Sequence, residues 1–175
     1  MPTETLSAEA VRSEHLVVLR SVTKFYGMPA LRVGYAVSSP SLAARIAVQL
    51  PPWPVTTLAA GAATQAVQDH AYAQRTLVIV ADERRWLQQE LETTGVTVYP
   101  SAANFLLLRL PATAPTSTRL RARLIAGSGV VVRDCRSFHG LSNGRFIRVA
   151  VRGREENEQL VRALGSALEG VRNGR

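Results

Sequence analysis

The hydrophobic period of this chain changes at Gly95, and that change restricts what can form on either side of it. Upstream, residues 71–94 place Leu77, Val80, Ala81, Leu87 and Leu91 roughly at the spacing of one helix face. Gly95 suits a helix stop. Downstream, residues 96–99 and 104–110 are short apolar runs that predict strands. Residues 117–126 predict a helix, 130–133 and 145–151 two more strands, and 154–168 a closing amphipathic helix. Before the long helix, Leu16-Val17-Val18-Leu19 reads as a buried strand and residues 31–37 as a second. Ser39-Pro40-Ser41 opens a helix over 41–50, with a hydroxyl cap and proline in the first turn. Pro51-Pro52-Trp53-Pro54 ends it, because proline removes donors and restricts its predecessor. Helix resumes at Thr56-Thr57 and continues to about Asp69. Residues 1–14 are polar and read as irregular or loosely helical. The fold class is therefore α/β.

One residue type stands out against this background. Lys24 is the single lysine in a chain of twenty arginines. Arginine replaces lysine wherever charge alone is wanted, but guanidinium stays protonated and delocalised and does not attack carbonyls as a primary amine does. Ser21 and Thr23 lie just before Lys24, and Arg32 lies eight residues after it. An amine beside hydroxyl donors and a planar guanidinium has the parts of a covalent lysine next to a phosphate site. If residues 25–31 form a turn between two strands, Lys24 and Arg32 converge on one ligand. Spacing alone leaves open a surface lysine in a polar turn beside an unrelated arginine.

Composition narrows the partners. The net charge of +8 is compatible with nucleic acid, anionic lipid or small anionic substrates. The arginines are mostly dispersed, and Arg119-Leu120-Arg121-Ala122-Arg123 reads as a solvated helix face. Aromatic residues are few and not interleaved with arginine, which argues against a nucleic-acid stacking platform. No run approaches the roughly 20 apolar residues of a membrane helix. The first residues carry acid and no apolar run, so no secretory signal is expected, and the expected location is the cytoplasm. The single cysteine, Cys135, rules out an internal disulfide and reads as structural. His15, His70 and His139 lack metal-ligand spacing, so no metal site is expected.

The segment Ser21-Val22-Thr23-Lys24-Phe25-Tyr26-Gly27-Met28-Pro29-Ala30-Leu31-Arg32-Val33-Gly34-Tyr35 resembles the lysine motif of fold-type I, class I/II aminotransferases. Ser21, Lys24, Arg32, Gly34 and Tyr35 match it, while Ala30 stands where that family usually has glycine. Thr-Lys-Phe-Tyr, with proline five residues after the lysine, is most similar to the threonine-phosphate decarboxylase and histidinol-phosphate aminotransferase branch. Pro51-Pro52-Trp53-Pro54-Val55, Pro100-Ser101-Ala102-Ala103-Asn104-Phe105 and Phe146-Ile147-Arg148-Val149 resemble later family segments. The resemblance implies pyridoxal 5'-phosphate as cofactor, Lys24 as its covalent anchor, and Ser21, Thr23 and Arg32 as phosphate contacts. It places the grip on the substrate α-carboxylate at Arg148 and on the substrate phosphate at Arg133. Without the resemblance, those two would read as ordinary strand-end arginines paired with acids. Arg133-Asp134-Cys135 followed by an aromatic looks more decarboxylase-like than aminotransferase-like.

The implied architecture is the end of a large mixed-sheet domain (1–70), a long connecting helix (71–95) and an α+β small domain (96–175). The implied substrate is a small phosphorylated amino acid, and the full enzyme is expected to be a homodimer. The resemblance covers only the second half of the family pattern. The first half carries a phosphate loop, a ring-stacking aromatic and the aspartate that pairs with the pyridine nitrogen. Residues 1–20 contain nothing equivalent, and Asp69, Asp82 and Asp134 lie in the wrong parts of the pattern. The chain is expected to have little or no activity alone, and an N-terminal half on a separate chain is a possible partner. A non-catalytic interaction domain is the alternative from another class.

Overall fold

The computed structural model describes residues 5–172, with side chains through residue 168. Two compact units divide the chain, Met1–Gln74 and Arg75–Arg175.

In the first unit, a short helix α1 (Ser7–Ala10) precedes the antiparallel pair β1 (Val18–Ser21) and β2 (Gly34–Val37). The first strand lies two residues later than Leu16–Leu19, the run that predicts it. The second is shorter than 31–37. Pro29–Leu31 form a 3-10 turn, and Arg32 takes a left-handed conformation at φ 49°, which interrupts extension until Gly34. Helix α2 (Pro40–Ala47) is capped as expected by Ser39, whose Oγ accepts the Leu42 amide at 3.3 Å. It ends at Ala47, short of residue 50, in turns that lead into the prolines. Helix α3 (Thr57–Gln68) is capped by Thr56 in the same way. The core here is small: Val22, Val33 and Ala59, with Tyr26, Met28, Leu31, Ala63 and Val67 against it.

Gly34 is required where it stands. A Cβ there would lie 2.6 Å from the Arg20 carbonyl oxygen, a backbone atom that moves only if β1 and β2 separate. Gly34→Ala is therefore expected to destabilise the strand pair by about 1–3 kcal/mol, the usual cost of overpacking. Amide hydrogen exchange across β1 and β2 should accelerate together. Unchanged exchange would show that the pair tolerates the methyl group.

In the second unit, β3 (Thr97–Val98), β4 (Phe105–Arg109), β5 (Arg133–Asp134) and β6 (Phe146–Ala150) form an antiparallel sheet in the order β3-β4-β6-β5. Helix α4 (His70–Thr93), which begins in the first unit, contributes the fully buried Leu87 and Leu91. Leu77, in contrast, is exposed. Helices α5 (Ser117–Ser128) and α6 (Arg154–Arg172) add Leu120, Leu124, Leu160 and Leu164. Helix α5 runs two residues past 126 and stops at Gly129, whose φ of +67° lets its amide return to the Ile125 carbonyl. These leucines meet Leu106, Leu108, Ile147 and Val149 from one face of the sheet. Each fully buried aliphatic side chain contributes roughly 1.5–3 kcal/mol before chain entropy is counted. Residues 130–132 do not join the sheet, so β5 is shorter than the expected strand over 130–133.

Buried Asn157 fastens the end of β6 to α6. Its amide nitrogen donates to Glu83 Oε2 at 3.0 Å and to the Arg152 carbonyl at 2.9 Å, while its oxygen accepts the Arg152 amide at 3.0 Å. Arg154 bonds both Glu83 oxygens and stacks 4.2 Å over Trp86. The guanidinium, helped by Asn157, holds the Glu83 carboxyl below its ordinary range despite partial burial.

Candidate active site

Two constellations account for the residues singled out by sequence, one in each unit. In the first, the register Ser21↔Gly34 closes the strand pair, and residues 22–33 form the connection at that end. Lys24 and Arg32 both lie in this connection, Arg32 ahead of β2 and not within it as the strand over 31–37 expects. Buried Val22 and Thr23 anchor its start, and Thr23 Oγ1 lies 2.9 Å from Ser21 Oγ. Lys24 is exposed in the following turn, where the Tyr26 amide bonds the Val22 carbonyl and the Gly27 amide bonds the Lys24 carbonyl.

Arg32 is also exposed, with Nη1 donating to the Pro29 carbonyl at 3.1 Å. Its left-handed backbone costs roughly 1–2 kcal/mol relative to glycine. Strain of that kind persists only where the surrounding structure fixes the backbone. Behind the turn, Tyr26 and Tyr72 stack with centroids 5.7 Å apart, Phe25 meets Tyr26 edge-on at 4.9 Å, and the Tyr72 hydroxyl donates to the Phe25 carbonyl.

The second constellation lies on the sheet face opposite the leucine core. Arg133 and Arg148 are direct partners across β5 and β6, and Leu107 continues the row on β4. Both arginines are exposed. Among the described residues neither makes a salt bridge, so pairing with acids, the ordinary reading of strand-end arginines, does not hold here. Like charges directly opposite on paired strands are destabilising, and an anion between them removes the penalty. Arg148 lies over the Phe105 ring at 4.8 Å, and Arg133 over the Phe138 ring at 5.6 Å. Arg133 Nη2 also donates to Ser137 Oγ at 3.3 Å. Cys135 is buried beside them, and burial raises its thiol pKa although Arg148 works against the rise.

The three aspartates are all engaged in structural roles. Asp69 caps α4 by accepting the Tyr72 amide at 2.8 Å, and Asp82 pairs with Arg85 at 2.9 Å. Asp134 accepts the hydroxyls of Ser117 and Thr118 at 2.8 Å each, and both the amide and Nε of Arg136. Partial burial of Asp134 favours its protonated form, but those donors outweigh it and hold the carboxyl far below its ordinary range. A depressed carboxylate contributes stability above its unfolded pKa of about 3.9, and that contribution fades as pH falls toward the folded value. Asp134→Asn should therefore destabilise the chain by about 1.5–3 kcal/mol at pH 7 in urea denaturation. The gap from the native chain should narrow below about pH 4. A gap independent of pH would assign the loss to shape instead of charge.

The chain as a whole aligns with one family. Residues 3–164 match the family model described as aminotransferase class I and II. The chain belongs to that family. It is 40% identical over 174 residues to threonine-phosphate decarboxylase of Salmonella typhimurium, covering 98% of this chain and 46% of that protein. The crystal structure of histidinol-phosphate aminotransferase from Clostridium acetobutylicum superposes with a TM-score of 0.89 at 29% identity, covering 97% of this chain and 51% of that one. L-threonine-O-3-phosphate decarboxylase from Porphyromonas gingivalis gives a TM-score of 0.77 at 27% identity, covering 93% and 50%. The chain thus spans about half the length of the relatives it matches, and its mixed helix-and-sheet fold is that of these enzymes. Among the described residues, no helix is long and apolar enough to cross a membrane, and no cluster of ligating side chains suits a metal.

Sequence reasoning missed Phe105, Ser137, Phe138 and Asp134 as supports of the arginine pair and of the loop after β5. Phe105 lies diagonally across β4 from Arg148, a relation set by strand register, which one sequence does not display.

Proposed function

We propose that this chain supplies the lysine-bearing and substrate-gripping parts of a pyridoxal-phosphate-dependent decarboxylase acting on threonine phosphate. The observation that carries the reading is the unpaired Arg133–Arg148 partnership on one sheet face, in a family member whose single lysine follows a hydroxyl-bearing strand end. Two free guanidiniums suit a substrate with two anionic ends. The family's use of pyridoxal phosphate matches the donor set of the first unit: an exposed amine at Lys24, adjoining hydroxyls at Ser21 and Thr23, and the strained, exposed Arg32. Ser21, Thr23 and Arg32 would hold its phosphate and Lys24 its aldehyde carbon.

When bound, the cofactor supplies an electron sink for a bond breaking at Cα. This chain's residues do the rest. Arg148 would take the α-carboxylate and Arg133 the phosphate, so that the two fix the substrate's orientation. Lys24 Nζ would hold the proton exchanged at Cα, delivering it there once carbon dioxide has left or removing it in amino transfer. A barrier difference of about 1.4 kcal/mol between these outcomes gives tenfold selectivity. The product of the first is an aminopropanol phosphate, on the way to cobalamin. The fit is incomplete in one respect, since no aspartate of this chain is free for the ring nitrogen.

The same reading accounts for the apolar surface of the first unit. Leu19 is 80% exposed and Trp53 94%, around a two-stranded sheet that is marginal by itself. A complementary polypeptide carrying the remaining strands and the ring aspartate would cover that surface. The activity, the homodimer of the full enzyme and the cytoplasmic location all belong to that complete assembly. The histidinol-phosphate aminotransferase reading is favoured by one observation, the higher TM-score of 0.89.

The test mixes the chain with the N-terminal half of a threonine-phosphate decarboxylase, pyridoxal phosphate and O-phosphothreonine. Carbon dioxide release by the mixture, and by neither part alone, is expected. Amino transfer to a 2-oxo acid without carbon dioxide release would establish the aminotransferase instead.

A further inference from the structure

We propose that Phe105 and Phe138 are positioning residues that hold the two guanidiniums apart, dividing the face into separate carboxylate and phosphate subsites. The inference rests on the proposed function, because it needs Arg148 and Arg133 to take the two ends of one substrate.

Arg133 and Arg148 start from Cα positions directly opposite each other on paired strands. Unsupported, two like-charged side chains in that relation would fan out at random, and a single dianion such as inorganic phosphate would draw both onto itself. The structure shows each committed elsewhere. Arg148 reaches diagonally across β4 to the Phe105 ring. Arg133 follows its own chain past β5 to the ring of Phe138 and the hydroxyl of Ser137. The two supports stand on different sides of the pair, one on β4 and one on the loop after β5. Both rings are more than a third exposed, 37% for Phe105 and 39% for Phe138. Each ring nevertheless presents its face to a guanidinium, a contact that fixes the position of the cation.

The loop carrying Phe138 is itself fixed. The Phe138 amide bonds the Cys135 carbonyl at 2.9 Å, the Cys135 amide bonds the Phe146 carbonyl at 3.2 Å, and Asp134 ties the loop's start to the first turn of α5. Arg136 is held by that same carboxylate. Arg109, exposed on the same face, pairs with Phe146 one row away from Arg148. A ligand with anionic groups at two separated points meets both guanidiniums where they already lie. A ligand with one anionic group meets only one, or must pull the other off its ring.

Isothermal titration of the chain combined with the complementary half, using O-phosphothreonine, threonine and inorganic phosphate, tests this, with the Nε–Hε NMR signals of Arg133 and Arg148 of the labelled chain followed in parallel. The tethered pair of anions should bind more tightly than either single anion. Phe138→Leu should weaken O-phosphothreonine and phosphate about fivefold and leave threonine unchanged; Phe105→Leu should weaken O-phosphothreonine and threonine about fivefold and leave phosphate unchanged. Phe138→Tyr and Phe105→Tyr keep a ring and should restore native affinities. The inference is overturned if each leucine variant weakens all three ligands alike, or weakens none, while the native chain shifts both arginine signals. If no ligand shifts either signal in the native chain, the proposed function fails and this inference falls with it.

Discussion

Replacing Lys24 with alanine is expected to abolish covalent attachment of pyridoxal phosphate to this chain and, in the complemented enzyme, decarboxylation of O-phosphothreonine. The loss has two parts. The primary amine assigned to the aldehyde carbon is gone, and this chain has no second lysine to replace it. The proton carrier at Cα is gone as well, a role worth a factor on the order of 10²–10⁴ by itself. Lys24→Arg should fare no better, because it restores the charge and not the nucleophile. Stability should hardly change, since Lys24 is exposed and makes no ion pair among the described residues. Absorbance of the reconstituted sample, carbon dioxide release and a urea melt separate these effects. A variant that retained the visible absorbance would remove Lys24 from its assigned role.

Arg148→Leu is the second large effect. Losing a charged, multiply bonded grip on a carboxylate costs about 1.5–3 kcal/mol, or roughly ten- to hundredfold in O-phosphothreonine affinity. The stability change should be small, because two contributions oppose. Relief of repulsion with Arg133 stabilises by about 0.2–1 kcal/mol. Loss of the contact with Phe105 destabilises by about 0.5–1 kcal/mol. A large fall in affinity with stability unchanged to within about 0.5 kcal/mol would place Arg148 in the site. A large fall in both would make it a structural residue whose removal disorders the sheet.

Much of the architecture was legible in the residues. The long helix before Gly95, the strands carrying Leu106–Leu108 and Ile147–Val149, and the closing helix all follow from apolar periodicity. The lone lysine and its neighbours were legible for a chemical reason, as an amine among guanidiniums. Periodicity gave a misleading result where backbone conformation intervened. Val130-Val131-Val132 has strand composition, yet only Arg133 and Asp134 pair with β6, and Val131 is 70% exposed. Residues 31–33 also look extended, but Pro29 starts a 3-10 turn and Arg32 turns left-handed. Register was the deeper gap. That Arg133 faces Arg148, and that Phe105 lies under Arg148, depends on how strands distant in sequence align. Pattern gives the faces of a strand but not its partner's offset.

The most direct measurement follows from the chain's unusual composition. Apart from the α-amino group, Lys24 is the only primary amine of this chain. Incubation with pyridoxal phosphate and the complementary half, reduction with borohydride, and peptide mapping by mass spectrometry should therefore find the cofactor on the peptide bearing residue 24. Cofactor retained on the protein with that peptide unmodified would contradict the assignment on which the proposed function is built.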